Sequence, residues 1–174
     1  INIKMAKYNK PELREKLSEK SEKLVADLIQ SIVGQIRIFE GKKNKNPGAI
    51  YGISRCLRML HEHFEAGFTK EARNYLDDLQ HPDYELANKD RLTIREVYSL
   101  SRKIDKSNRK LYVEHTDGGI KKLAIDLLEL YEKLKGNKED IHTVKKFIQN
   151  NTYFIIKHKE QNKDINERFS IKDL

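Results

Sequence analysis

Apolar residues recur at spacings of three and four along most of the chain, and that period predicts helices. Leu13, Leu17, Leu24, Leu28, Ile32, Ile36 and Phe39 form the first stripe, so a helix is expected over Pro11–Phe39, with Pro11 in the first turn where its missing N–H costs nothing. Its opening half, Glu12–Lys23, is charged nearly all round, and the pairs Glu12–Lys16 and Glu19–Lys23 suit an exposed, projecting helix. The segment Gly41–Gly48 is a loop on its Asn, Pro and Gly content. Ile50, Ile53, Leu57, Leu60 and Phe64 then mark a second helix ended by Gly67, and Thr69 caps a third with Ala72, Tyr75, Leu76 and Leu79 inward. With so short a connection these two helices are expected to pack as an antiparallel hairpin.

His81-Pro82-Asp83 breaks the chain, and Tyr84–Lys89 suits one helical turn. The best local signal follows: Thr93 and Glu96 read as a capping box, and Leu92 with Val97 as the hydrophobic staple around it, which predicts a helix from Ile94 to about Ile104. Asp105–Asn108 is a turn. Arg109–His115, with Leu111, Tyr112 and Val113, favours a strand, as does Thr152–Ile156. Between them, Ile120, Leu123, Leu127, Tyr131 and Leu134 predict a long helix to Lys135, stopped by Gly136, and Ile141, Val144, Phe147 and Ile148 predict another opened by Asn137 or Lys138. Neither strand is stable alone, so they are expected to form one small ribbon.

The fold class is therefore mainly α: about six helices in a bundle-like single domain, with a minor two-stranded β element in the C-terminal third. Residues 1–108 form a helical region and residues 109–174 a C-terminal helical subdomain, continuous with it. Lys157–Leu174 is polar and expected to be irregular or weakly helical.

Composition narrows the class. The chain has 174 residues, enough to bury a core without covalent staples. Its one cysteine, Cys56, excludes a disulfide framework and points to a reducing, cytoplasmic compartment, with the thiol buried and inert beside the apolar face of the second helix. Ile1–Lys10 lacks the apolar core of a secretory signal, and no run approaches the ~18 apolar residues of a membrane span. Lys and Arg number 35 against 27 acids, a net charge of +8. That surplus suits an anionic partner, most often nucleic acid, and equally suits a solvated Lys-rich surface.

No phosphate-binding Gly loop, dinucleotide fingerprint, His-Glu-x-x-His, Cys-x-x-Cys or Gly-x-Ser-x-Gly element is present, which sets aside nucleotide-dependent, redox and hydrolase classes built on them. Pro82-Asp83 with Glu85 and Lys89 has the letters of a PD-(D/E)xK nuclease core but not its strand or its spacing. Three groups of residues carry the remaining chemistry.

The first is Arg55, Arg58, His61 and His63. Arg58 and His63, four residues between them, resemble the arginine–histidine motif of HEPN-type helical ribonucleases, with Met59 where that family has a polar residue. The resemblance covers the second helix alone. It implies a homodimer and metal-free RNA cleavage, with Arg58 on the scissile phosphate and His63 moving a proton.

The second is Glu114-His115 followed by Gly118-Gly119, which resembles the opening half of an HNH-type nuclease motif. That likeness implies His115 as general base and Glu114 as ligand to Mg2+ or another divalent ion, with His158 or Asn162 completing the site. The alternative is a turn in which Asp117 caps the next helix.

The third is a set of basic clusters: Lys42, Lys43 and Lys45 in the first loop; Arg102, Lys103, Lys106, Arg109 and Lys110 around the 105–108 turn; and Lys157, Lys159 and Lys163 after the last strand. Flexible cations contact phosphates without needing a precise register. The expected function is nucleic-acid binding, with phosphodiester cleavage of phage, defence or restriction type as an added possibility. A non-enzymatic helical protein-interaction or regulatory domain is the alternative.

Overall fold

The computed structural model describes residues 16–39, 47–86, 91–104, 110–115, 119–152 and 154–158. Seven α-helices are found among them: α1 (Glu22–Phe39), α2 (Pro47–His61), α3 (Lys70–Leu79), α4 (Pro82–Leu86), α5 (Ile94–Ile104), α6 (Gly119–Leu128) and α7 (Glu139–Asn151). Three short strands accompany them: β1 (Gly67–Phe68), β2 (Leu111–His115) and β3 (Phe154–His158). The mainly helical class expected from the periodicity is what the chain adopts.

The chain forms two compact units, each drawn from both sides of residue 108. One comprises 15–63 and 118–152 and holds α1, α2, α6 and α7. In it α1 packs between α2 and α7, while α6 completes the circuit against α2 and α7. The buried face of α1 is Val25, Leu28, Ile29, Ile32, Val33 and Ile36, and that of α2 is Ala49, Ile53, Leu57 and Leu60. These positions follow the 3.6-residue period, so burying one stripe per helix fixes how each helix is rotated.

Leu24 belongs to the expected stripe but is 42 % exposed, because the stripe drifts and Val25 takes the inward place. Residues 11–15 of the expected first helix lie outside the described residues. A 3-10 turn at Glu19–Ser21 precedes α1, with the Ser18 hydroxyl accepting from the Lys20 N–H.

The long helix expected to reach Lys135 ends at Leu128 and continues as a turn and a 3-10 segment, Tyr131–Lys133. The bonds there run i to i+3, from the Leu130 N–H to the Leu127 carbonyl and from the Lys133 N–H to the Leu130 carbonyl. Tighter winding brings Leu130 into the core in place of Tyr131, which stays half-buried.

The other unit comprises residues 1–14, 64–117 and 153–174. Its described part centres on a three-stranded sheet in the order β1-β3-β2, with β1 parallel and β2 antiparallel to β3. The two expected strands pair, from Leu111 opposite His158 to His115 opposite Phe154. The third strand comes from a segment read as the end of the second helix. That helix stops at His61; Glu65 bridges Thr93, and Gly67 and Phe68 pair with Ile155 and Ile156. Phe64, Glu65, Ala66 and Phe68 are all buried along this extended run. The short helical connection expected between the second and third helices is thus replaced by a strand; α2 and α3 belong to different units, and α3 packs on β1 and β3.

The caps read from sequence are present. Thr69 Oγ1 accepts from the Ala72 N–H at 3.2 Å, and Thr93 Oγ1 from the Glu96 N–H at 3.1 Å. Leu92 and Val97 are buried around the second cap. No described helix is long and apolar enough to cross a membrane.

Candidate nucleic-acid interface

Helix α2 has one buried face and one outward face of unusual composition. Tyr51, Arg55 and Arg58 stand at i, i+4 and i+7, within about 60° of one another around the axis and spread over about 10 Å along it. Arg55 and Arg58 are exposed, Tyr51 is 66 % exposed, and Met59 beside them is 55 % exposed. The helix carries no acid from Pro47 to His61. Among the described residues neither arginine forms an ion pair, unlike Arg37 with Asp140 or Arg91 with Glu65. Lys42, Lys43 and Lys45 precede this helix in sequence and lie outside the described residues.

The remaining basic candidates are dispersed. Arg102 and Lys103 are exposed in the last turn of α5, where Lys103 Nζ sits 2.6 Å from the Asp83 carboxylate. Lys110 is half-buried just before β2, and Lys157 lies in β3 opposite Tyr112. Lys106, Arg109, Lys159 and Lys163 lie outside the described residues, so the positive face expected from the second and third clusters is not delineated.

The nuclease-like pairs do not assemble. Glu114 and His115 are neighbours in β2, and strand alternation turns their side chains to opposite faces of the sheet. Glu114 is buried and its strand partner is Ile155. These positions do not fit a divalent ion shared between an acid and the ligand sphere of an adjacent base. Among the described residues no group of three or more His, Cys, Asp or Glu is set to hold a metal.

The other pair is split by burial. Arg58 is exposed on α2, whereas His63 is 6 % exposed in the turn beyond it, its carbonyl accepting from the Ser18 N–H at 2.8 Å. His61 lies between them, half-buried. Burial depresses its imidazole pKa below 6.5; Glu62 opposes this, and the charges of Arg58 and His63 add to it.

Cys56 is half-buried, and the Gln35 amide donates to its Sγ at 3.4 Å. The thiol thus belongs to the α1–α2 contact and not to the outward strip.

Sequence reasoning missed Tyr51. The signal was available: Tyr51, Arg55 and Arg58 repeat at helical spacing opposite Ile53, Leu57 and Leu60. Comparison with known proteins finds no family model, no curated protein and no solved structure that matches this chain.

Proposed function

We propose that this protein binds nucleic acid by its phosphate backbone, with the outward face of α2 as the contact surface. The observation that carries the reading is the exposure of Arg55 and Arg58 on a helix without a single acid. Glu62 lies four residues after Arg58, just past the helix end, yet among the described residues it forms no ion pair with it, whereas Lys122 pairs with Asp126 and Lys103 with Asp83. Among the described residues no acid pairs with Arg55 or Arg58, and a guanidinium holds a phosphate through a planar fork of donors. The surplus of +8 raises the local concentration of a polyanion around the whole chain.

No cleavage step is assigned. Glu114 and His115 diverge, and His63 is covered.

The test is salt-dependent binding of labelled nucleic acid by the intact chain and by an Arg55→Ala/Arg58→Ala variant. Each lost phosphate contact flattens the slope of log affinity against log salt by roughly 0.7 to 0.9. The double variant is expected to bind more weakly and to lose between one and two such contacts. Equal affinity and slope for the two proteins sink the reading.

A second reading, a helical protein-interaction surface, is favoured by Ile38 at the end of α1, 75 % exposed. It expects apolar docking to a protein partner that salt hardly changes, with no affinity for nucleic acid at low salt.

A further inference from the structure

We infer that the α2 strip takes single-stranded nucleic acid, with an unpaired base stacked on Tyr51 and the neighbouring phosphates held by Arg55 and Arg58. The inference rests on the phosphate-binding reading above and names the substrate class of that same site.

Two features of α2 separate a single strand from a duplex. The first is what surrounds the arginines. A surface that only tracks duplex phosphates gains from cations and polar donors, a tyrosine hydroxyl among them, but an exposed ring face or thioether adds little to it. Here Tyr51 and Met59, 66 % and 55 % exposed, share the outer surface with both arginines. An unpaired base offers a π-face, and a base laid on an aromatic ring is worth more than a phosphate contact of the same size because it also removes apolar area from water. Tyr51 lies one helical turn from Arg55, so a base on the ring leaves the adjoining backbone within reach of the guanidinium.

The second feature is the setting of the helix. A helix that reads duplex DNA enters the major groove, which is about as wide as the helix with its side chains, so its flanks must be clear. Among the described residues of its unit α2 is flanked by α1 and by α6, and its exposed positions are Tyr51, Arg55, Arg58 and Met59 with the first turn. A helix hemmed by two neighbours enters a groove less readily than a free one, whereas a flexible strand can lie along its exposed strip.

The strip also differs from the other exposed apolar positions. Leu24 and Ile38 on α1 are each without an arginine at i+4.

The experiment is fluorescence anisotropy at low salt with fluorescein-labelled oligothymidine, oligouridine and a random-sequence duplex of equal length. The proteins are the full chain and its Tyr51→Ala, Tyr51→Phe and Arg55→Ala/Arg58→Ala variants, each with its melting temperature measured beside the wild type. The wild type is expected to bind at least one of the two single strands about tenfold or more tighter than the duplex. Tyr51→Ala is expected to weaken that binding by roughly tenfold to a hundredfold and leave duplex binding unmoved, with Tyr51→Phe close to wild type. Duplex binding equal to single-strand binding, or a Tyr51→Ala variant that melts and binds like the wild type, overturns the single-strand inference; if the double arginine variant is then still weakened, phosphate binding stands. No binding by the wild type, or a double variant indistinguishable from it, overturns both. A better grip on oligouridine than on oligothymidine assigns the strand as RNA within the same inference.

Discussion

Arg37, in the last turn of α1, donates to the buried carboxylate of Asp140 in the first turn of α7. The same carboxylate accepts from the N–H groups of Lys135 and Gly136, both at 2.8 Å. Residues 103 apart in sequence are thus joined by an ion pair whose acid is 1 % exposed. Burial alone works against the charge on Asp140, but the guanidinium and the two N–H groups outweigh it and hold the carboxyl below 3.8.

Asp140→Ala is therefore expected to destabilise the fold by about 2 kcal/mol, because two backbone donors lose their acceptor as well as the arginine its partner. Arg37→Ala costs less, since Asp140 keeps both N–H groups. Urea unfolding of the two variants checks the order. The acid limb follows from the same shift. The contribution of Asp140 is complete above 3.8 and is lost only as pH falls through the depressed folded value, so Asp140→Ala steepens no transition above that range.

His61 has a dependence of the same sign at a higher pH. Its folded pKa lies below 6.5, so between that folded value and 6.5 the unfolded chain binds the proton that the folded chain refuses. Stability from His61 is present above 6.5 and declines as pH falls below it. Unfolding midpoints of wild type and His61→Gln, measured on either side of 6.5, are expected to converge at the lower pH. A constant gap between them contradicts the assignment.

Two glycines predict opposite signs. Gly34 lies within α1, and a Cβ there meets no atom within 4 Å. Gly34→Ala is expected to stabilise by up to about 1 kcal/mol through helix propensity. Gly136 has φ +77°, a left-handed backbone, and its N–H serves Asp140. Gly136→Ala is expected to destabilise by about 1 kcal/mol despite open space around it. Thermal unfolding of both variants decides.

The caps give a local test. Thr93→Ala removes the hydroxyl that accepts from the Glu96 N–H and is expected to cost about 1 kcal/mol. Thr93→Ser restores the bond and most of the stability. If Ser fails to rescue, the methyl group buried with Leu92 matters more than the cap.

What the sequence determined by itself was local. The period of Ile53, Leu57 and Leu60, the cap at Thr93 and the β-branched and aromatic run at Leu111–Val113 each act through neighbours a few residues away, so α2, α5 and β2 were legible. Tertiary structure decided the rest. The sequence of Phe64–Phe68 is compatible with a helix end, and only pairing with β3, almost ninety residues later, makes it a strand. Tyr131 fits a helical stripe, and only the tighter winding after Leu127 exchanges it for Leu130. The candidate site divides the same way. That Arg55 and Arg58 share a face with Tyr51 follows from helical spacing, but that they face outward depends on which side of α2 is covered by α1 and α6. Glu114 and His115 are adjacent in sequence, and extended backbone separates them. Adjacency along a chain is fixed by covalent bonds, whereas convergence in space depends on burial of apolar area that comes from distant segments.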